Sequence, residues 1–126
     1  MDVDAGKAEV ERRVGPEDTA EVLGSGSLPV LGTPRLVAWA EAATVAALAP
    51  GLSEGETSVG VRVEVDHRAP SVVGDLVLVR AEVVAVEGRR VTLDVVAGTP
   101  DGTVLARGTV ERVVVEAAKF LGRLRS

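Results

Sequence analysis

Residues 33 to 50 read TPRLVAWAEAATVAALAP, and this run limits the possible folds more than any other feature of the chain. Thr33 is a good helix cap, and Pro34 suits the first helical position, where its missing N–H would have no partner anyway. Pro50 and Gly51 end the run, so the pattern predicts a helix from Pro34 to about Ala49. Beyond Arg35 that helix carries only Ala, Leu, Val, Trp, Thr and one acid, Glu41. A helix that is apolar all round is buried all round, so this one is expected at the centre of the fold.

The material around it reads as sheet. The chain has 26 Val and no Ile, and β-branched valine favours strands. After Gly51 to Glu56 the period changes. Val59, Val61, Val63 and Val65 alternate with Ser58, Gly60, Arg62, Glu64 and Asp66, which predicts a strand with one buried face. Three further strands are expected over Val72 to Val86, Arg90 to Ala97 and Thr103 to Val115. The short glycine-containing links between them, Glu87-Gly88-Arg89 and Thr99-Pro100-Asp101-Gly102, favour antiparallel hairpins. Lys7 to Val14 is read as a first strand and Glu17 to Leu23 as a short helical turn. Gly24 to Pro29 is a loop able to bend, and Glu116 to Arg125 is a short surface helix. The fold class is α+β, one domain over residues 1–126.

Five strands spaced about 4.8 Å apart make a sheet roughly 20 Å across, and one helix covers about 10 Å of it. A second subunit is the simplest cover, so a homodimer with an apolar interface is expected.

A net charge of -5 argues against general binding to nucleic acid or to anionic membranes, both of which need clustered Lys and Arg. With no Cys there is no thiolate nucleophile, and one His cannot build a multi-histidine zinc site. No metal or cofactor is expected. The opening MDVDAGKAEVERR lacks the basic-then-apolar pattern of a signal peptide, and no apolar stretch is long enough to span a bilayer. A cytoplasmic protein is the expectation.

Few side chains remain that could carry chemistry. Glu41 is a carboxylate among alanines and leucines, so it needs either a structural hydrogen bond or a role as acid or base. His67 follows the alternating strand in phase with Val65, which aims it toward the side where the helix packs, although a lone histidine is often structural. Thr33 is explained as a cap, and its hydroxyl could also face a pocket at the helix mouth. Eight positions, about 12 Å of helix, separate it from Glu41, so a common site requires a substrate spanning both, a bent helix start or a second subunit. Gly60 interrupts a valine strand, as glycine does at a bulge or at a close backbone approach. The turn Glu87-Gly88-Arg89-Arg90 with Arg112, Lys119 and Arg123 supplies scattered positive charge, two or three members of which could hold a nucleotide phosphate.

Several segments together resemble the hotdog-fold thioesterases of the fluoroacetyl-CoA thioesterase family. They are Leu31-Gly32-Thr33-Pro34, Trp39-Ala40-Glu41-Ala42-Ala43, Gly55-Glu56-Thr57-Ser58-Val59-Gly60, Val65-Asp66-His67-Arg68-Ala69, Glu87-Gly88-Arg89-Arg90 and Gly108-Thr109-Val110-Glu111-Arg112, in matching order over roughly residues 10 to 120. The resemblance implies a hotdog fold, with an antiparallel sheet wrapped around one long central helix and two subunits pairing their sheets. It also implies hydrolysis of an acyl-CoA. Thr33, Glu41 and His67 match the family's catalytic set, and Gly60 and Arg112 match its substrate-binding positions. The chain departs from the fluoroacetyl-specific enzyme in the lid, where Gly24, Ser25, Gly26 and Ser27 stand in place of phenylalanines, and in the run Asp66-His67-Arg68-Ala69-Pro70. The alternative reading is a non-catalytic hotdog dimer that binds an acyl thioester or a small hydrophobic ligand.

Overall fold

The computed structural model describes residues 1–124. Five strands, β1 (Lys7–Arg13), β2 (Glu56–His67), β3 (Leu76–Glu87), β4 (Arg90–Gly98) and β5 (Val104–Glu116), form one sheet in the order β1-β3-β4-β5-β2. Every neighbouring pair is antiparallel. The helices are the short α1 (Ala20–Leu23), the long α2 (Thr33–Leu48) and the C-terminal α3 (Ala117–Arg123). β3, β4 and β5 form a meander joined by the two predicted turns, while β1 and β2, which flank α2 in the chain, occupy opposite edges of the sheet.

α2 buries Leu36, Trp39, Ala40, Ala43, Thr44, Ala47 and Leu48, spaced by three and four as one face of a helix requires. Facing them from the sheet are Val77, Val79 and Ala81 of β3, Val91, Leu93 and Val95 of β4, and Val110 and Val114 of β5, all buried. Each fully buried Val or Leu contributes about 1.5–3 kcal/mol, so this layer holds the helix on the sheet. The opposite face of the sheet is mixed, with Leu78, Val96, Val113 and Val115 half-buried among charged side chains. Opposed charges stand directly across from one another there, Lys7 from Glu82 and Glu9 from Arg80.

Three expectations are revised. First, α2 is not buried all round, because Val45 on its far side is 48% exposed. Secondly, the valines of β2 do not share one face. A bulge between Gly60 and Arg62 shifts the register, so Ser58 and Gly60 oppose Val114 and Arg112, whereas beyond it Val63, Val65 and His67 oppose Val110, Gly108 and Ala106. The extra residue puts both sets on the helix side and leaves Val61 and Val63 exposed, at 47% and 36%. Thirdly, Val72 and Val73 precede β3 rather than begin it, and both are exposed. The expected end of the tail helix at Arg125 lies outside the described residues.

Candidate active site

The five residues singled out in the sequence fall into two groups, one at each end of the first half of α2. At the helix start the cap is Gly32, not Thr33, and no side chain caps the helix. Thr33 is the first helical residue, which frees its hydroxyl to meet His67 Nδ1 at 2.8 Å. His67 ends β2, and its other ring nitrogen, Nε2, is buried with no hydrogen-bond partner among the described residues. A hollow of about 280 Å³ adjoins the pair, lined in part by Ser25, Leu31, Ala69 and Pro70.

The loop over this hollow is anchored from below. Asp18 is buried, lies 3.0 Å from Arg35 Nε on α2, and accepts the Gly15 N–H at 2.8 Å. Gly24, which ends α1, has φ 78°, a left-handed conformation suited to glycine. The residues after it, Ser25, Gly26 and Ser27, carry no bulk toward the hollow.

Two turns further along α2, Glu41 forms the second group. Its carboxylate is 37% exposed, and Arg112 Nη1 donates to Oε2 at 3.2 Å. Arg112 is itself 6% exposed, with Nε donating to Ser58 Oγ at 2.8 Å and Nη2 to the Ser58 carbonyl at 3.1 Å. Gly60 lies beneath the carboxylate. A Cβ built there would collide with Glu41 Oε2 and lie 3.3 Å from Arg112 Nη1, so the absent side chain is what lets the carboxylate rest on β2. The Arg112 guanidinium therefore faces Glu41 and Ser58 and fixes the carboxylate, while Oε1 takes no hydrogen bond among the described residues.

Within one chain the two groups do not meet. His67 is bonded to Thr33 and Glu41 to Arg112, about 12 Å of helix separates Thr33 from Glu41, and Gly60 stands seven residues, about 20 Å of strand, from His67. Ser58, Asp18 and Arg35 were not singled out in the sequence. Ser58 had a signal, because it stands two before Gly60 on the same face of the strand. Asp18 and Arg35 had none, since only the folded turn brings them together.

A family model described as fluoroacetyl-CoA-specific thioesterase matches residues 14–118. The fluoroacetyl-CoA thioesterase of Streptantibioticus cattleyicolor is 40% identical over 97 residues, which cover 76% of this chain and 68% of that enzyme. A solved structure of the fluoroacetyl-CoA thioesterase superposes with a TM-score of 0.87 at 34% identity, covering 99% of this chain and 96% of the other. A thioesterase superfamily member from Thermus thermophilus gives a TM-score of 0.88 at 34% identity, covering 98% and 91% of the two chains.

Proposed function

Because the chain belongs to the fluoroacetyl-CoA-specific thioesterase family, we propose that its active site is shared, with Thr33 and His67 of one subunit facing Glu41 of a second copy. The chain has the hotdog fold and is an acyl-CoA thioester hydrolase. No helix among the described residues is long and apolar enough to cross a membrane. A homodimer in the cytoplasm is part of the proposal.

The observation that carries the reading is the separation of two half-built groups along an open edge. β2 pairs on one side with β5, and its other side ends the sheet with Val61 and Val63 exposed. Such an edge invites a second strand. Set antiparallel to its own copy about an axis at Glu64, β2 brings Arg62 opposite Asp66 of the partner subunit twice, two attractive pairs that offset the meeting of the two Glu64 side chains on the axis. The same register places the Gly60–Val61 bulge opposite His67 of the partner subunit, so its imidazole reaches the carboxylate lying on Gly60. The exposed Val45 side of α2 is covered in the same step.

In this assembly the thioester carbonyl sits between the two groups. Glu41, held by Arg112, takes a proton from water. The water oxygen bonds to the carbonyl carbon as negative charge gathers on the carbonyl oxygen, and the Gly60 N–H receives that charge. The C–S bond then breaks, and the CoA sulfur leaves with the proton returned through His67, which Thr33 holds in place. The acyl group occupies the hollow beside His67. With glycine and serine rather than aromatic rings in the loop above, the hollow accepts acyl groups larger than fluoroacetyl.

The test is a panel of acyl-CoAs of increasing length, followed with a thiol reagent that this cysteine-free chain does not consume. Hydrolysis that is lost in Glu41→Gln and in His67→Ala, with both variants still dimeric by gel filtration, is the expected result. Parental rates in both variants would overturn the site assignment, and a parent that releases no CoA from any substrate would overturn the function.

A further inference from the structure

The first turn of α2 has no side-chain cap, and the Thr33 hydroxyl is engaged with His67 Nδ1 at 2.8 Å. An uncapped helix start is the part of a helix most easily displaced. Arg35 stands two residues beyond Thr33, about 200° round the helix, so it points away from His67. It meets Asp18 instead, Nε to Oδ1 at 3.0 Å. We infer that Asp18 and Arg35 are positioning residues for catalysis. They hold the start of α2 from the side away from His67 and so keep the Thr33 hydroxyl on the imidazole. The inference rests on the thioesterase reading above and adds to it two residues outside the reacting set.

Asp18 grips the helix start through three atoms. Oδ1 faces Arg35, Oδ2 accepts the Gly15 N–H at 2.8 Å, and the carbonyl accepts the N–H of Gly32, the helix cap, at 2.9 Å. Its carboxylate also suits the positive end of the helix dipole. The approach to the helix is held on both sides. The Ala20 N–H donates to the Val30 carbonyl at 2.8 Å, and the Leu31 N–H donates at 2.8 Å to the carbonyl of Ser71, four residues after His67. Gly32 packs closely under α1, where a Cβ would lie 2.9 Å from Leu23 Cδ1 and 3.3 Å from Ala20 Cα. The turn at Asp18, the helix start and the segment after His67 therefore form one connected unit.

The link between Asp18 and Arg35 is a charge attraction, because the Arg35 Nε–H makes no aligned hydrogen bond among the described residues. Arg35 is about one-third exposed, and a pair of this kind adds little to stability. Its loss should therefore appear in the placement of Thr33 and in kcat, with little change in melting temperature. A misplacement of about 1 Å lowers a rate about 100-fold, so a shift of about half that size lowers it about tenfold.

The experiment measures acyl-CoA hydrolysis, thermal unfolding and the ring resonances of His67, the single histidine of the chain, on the folded dimer. Arg35→Met should lower kcat about tenfold with KM little changed, and should move the His67 ring resonances in the direction seen for Thr33→Val. Arg35→Lys keeps the charge and should restore kcat to within about threefold of the parent. Asp18→Asn, which still accepts the Gly15 N–H, should behave as Arg35→Met does; should it fail to fold, the two Arg35 variants decide the matter. In a Thr33→Val background Arg35→Met should cost less than about twofold more, because the two act through one contact. An equal loss in both backgrounds, or parental kcat and ring resonances in Arg35→Met, would overturn the positioning role alone. A parent that releases no CoA from any substrate would remove the thioesterase reading, and the ring resonances would then decide by themselves whether the pair places Thr33 on His67.

Discussion

Replacing Arg112 by Met separates holding the fold from aiming the carboxylate. Met keeps most of the buried volume and deletes three donors: two to Ser58, at 2.8 and 3.1 Å, and one to Glu41, at 3.2 Å. Each bond to Ser58 is worth about 1 kcal/mol net. The bond to a carboxylate that is 37% exposed is screened by solvent and adds at most about 1 kcal/mol. The loss of stability should then be about 2–3 kcal/mol, a fall in melting temperature of about 10 °C for a chain of this size. The catalytic loss should be larger than stability alone explains. A reacting group displaced by about 1 Å loses about 100-fold in rate, so kcat should fall by about that factor at a temperature where the variant is still folded. Arg112→Lys keeps the charge, but its single ammonium cannot serve Ser58 and Glu41 together, so an intermediate loss of about tenfold in kcat is expected. The assay is steady-state CoA release with thermal unfolding of the same preparations. A Met variant that melts lower yet retains the parental kcat would refute the reasoning and make Arg112 a prop of the sheet only.

Gly60→Ala should displace the Glu41 carboxylate by steric contact and lower kcat at least tenfold with little change in KM, and steady-state kinetics will show whether the loss is in kcat. Thr33→Val should lower kcat and move the His67 imidazole ring resonances seen by NMR, whereas Thr33→Ser, which keeps the hydroxyl 2.8 Å from Nδ1, should restore both. Glu56 is held down to about 2 by the Ser53 N–H, then by Arg89 and the N-terminal ammonium. The stabilisation from its charged form is therefore complete above the ordinary carboxylate value of 4.5 and lost as pH falls toward 2, so in urea titrations the advantage of the parent over Glu56→Gln should shrink across that interval. Turnover in oxygen-18 water should place label in the released acid and none in the Glu41 side chain, as mass spectrometry of the peptide would show; labelled Glu41 would mean that it attacks the thioester itself.

Much of the fold was legible because period and punctuation agree. Thr33-Pro34 and Pro50-Gly51 bracket α2 to within a residue or two of Thr33–Leu48, and the glycine turns separate β3, β4 and β5 as read. The placement of β2 beyond β5 was not legible, because strand order depends on which distant edges meet after collapse. The bulge at Gly60 was signalled by glycine, but its consequence was not. Simple alternation carries Val59 and Val65 onto one face, and one extra residue undoes that while leaving His67 on the helix side. Thr33 shows the limit of local rules. Its residue type suits a cap, yet Gly32 occupies that position, and the hydroxyl goes to a ring 34 positions away. For Glu41 the sequence posed the question of how an acid survives on an apolar helix. The answer, an arginine from β5 beside a glycine on β2, needed three elements to meet.

Hybrid dimers test the shared site most directly. Subunits carrying Glu41→Gln and subunits carrying His67→Ala, each inactive alone, are differently tagged, co-expressed and purified as the mixed dimer. If Glu41 works with His67 of the partner subunit, one of the two sites in each hybrid is intact, and the hybrid should recover about half of the parental activity per dimer. A hybrid as inactive as its parents would mean that each site draws on a single chain, and the two-subunit account would be wrong.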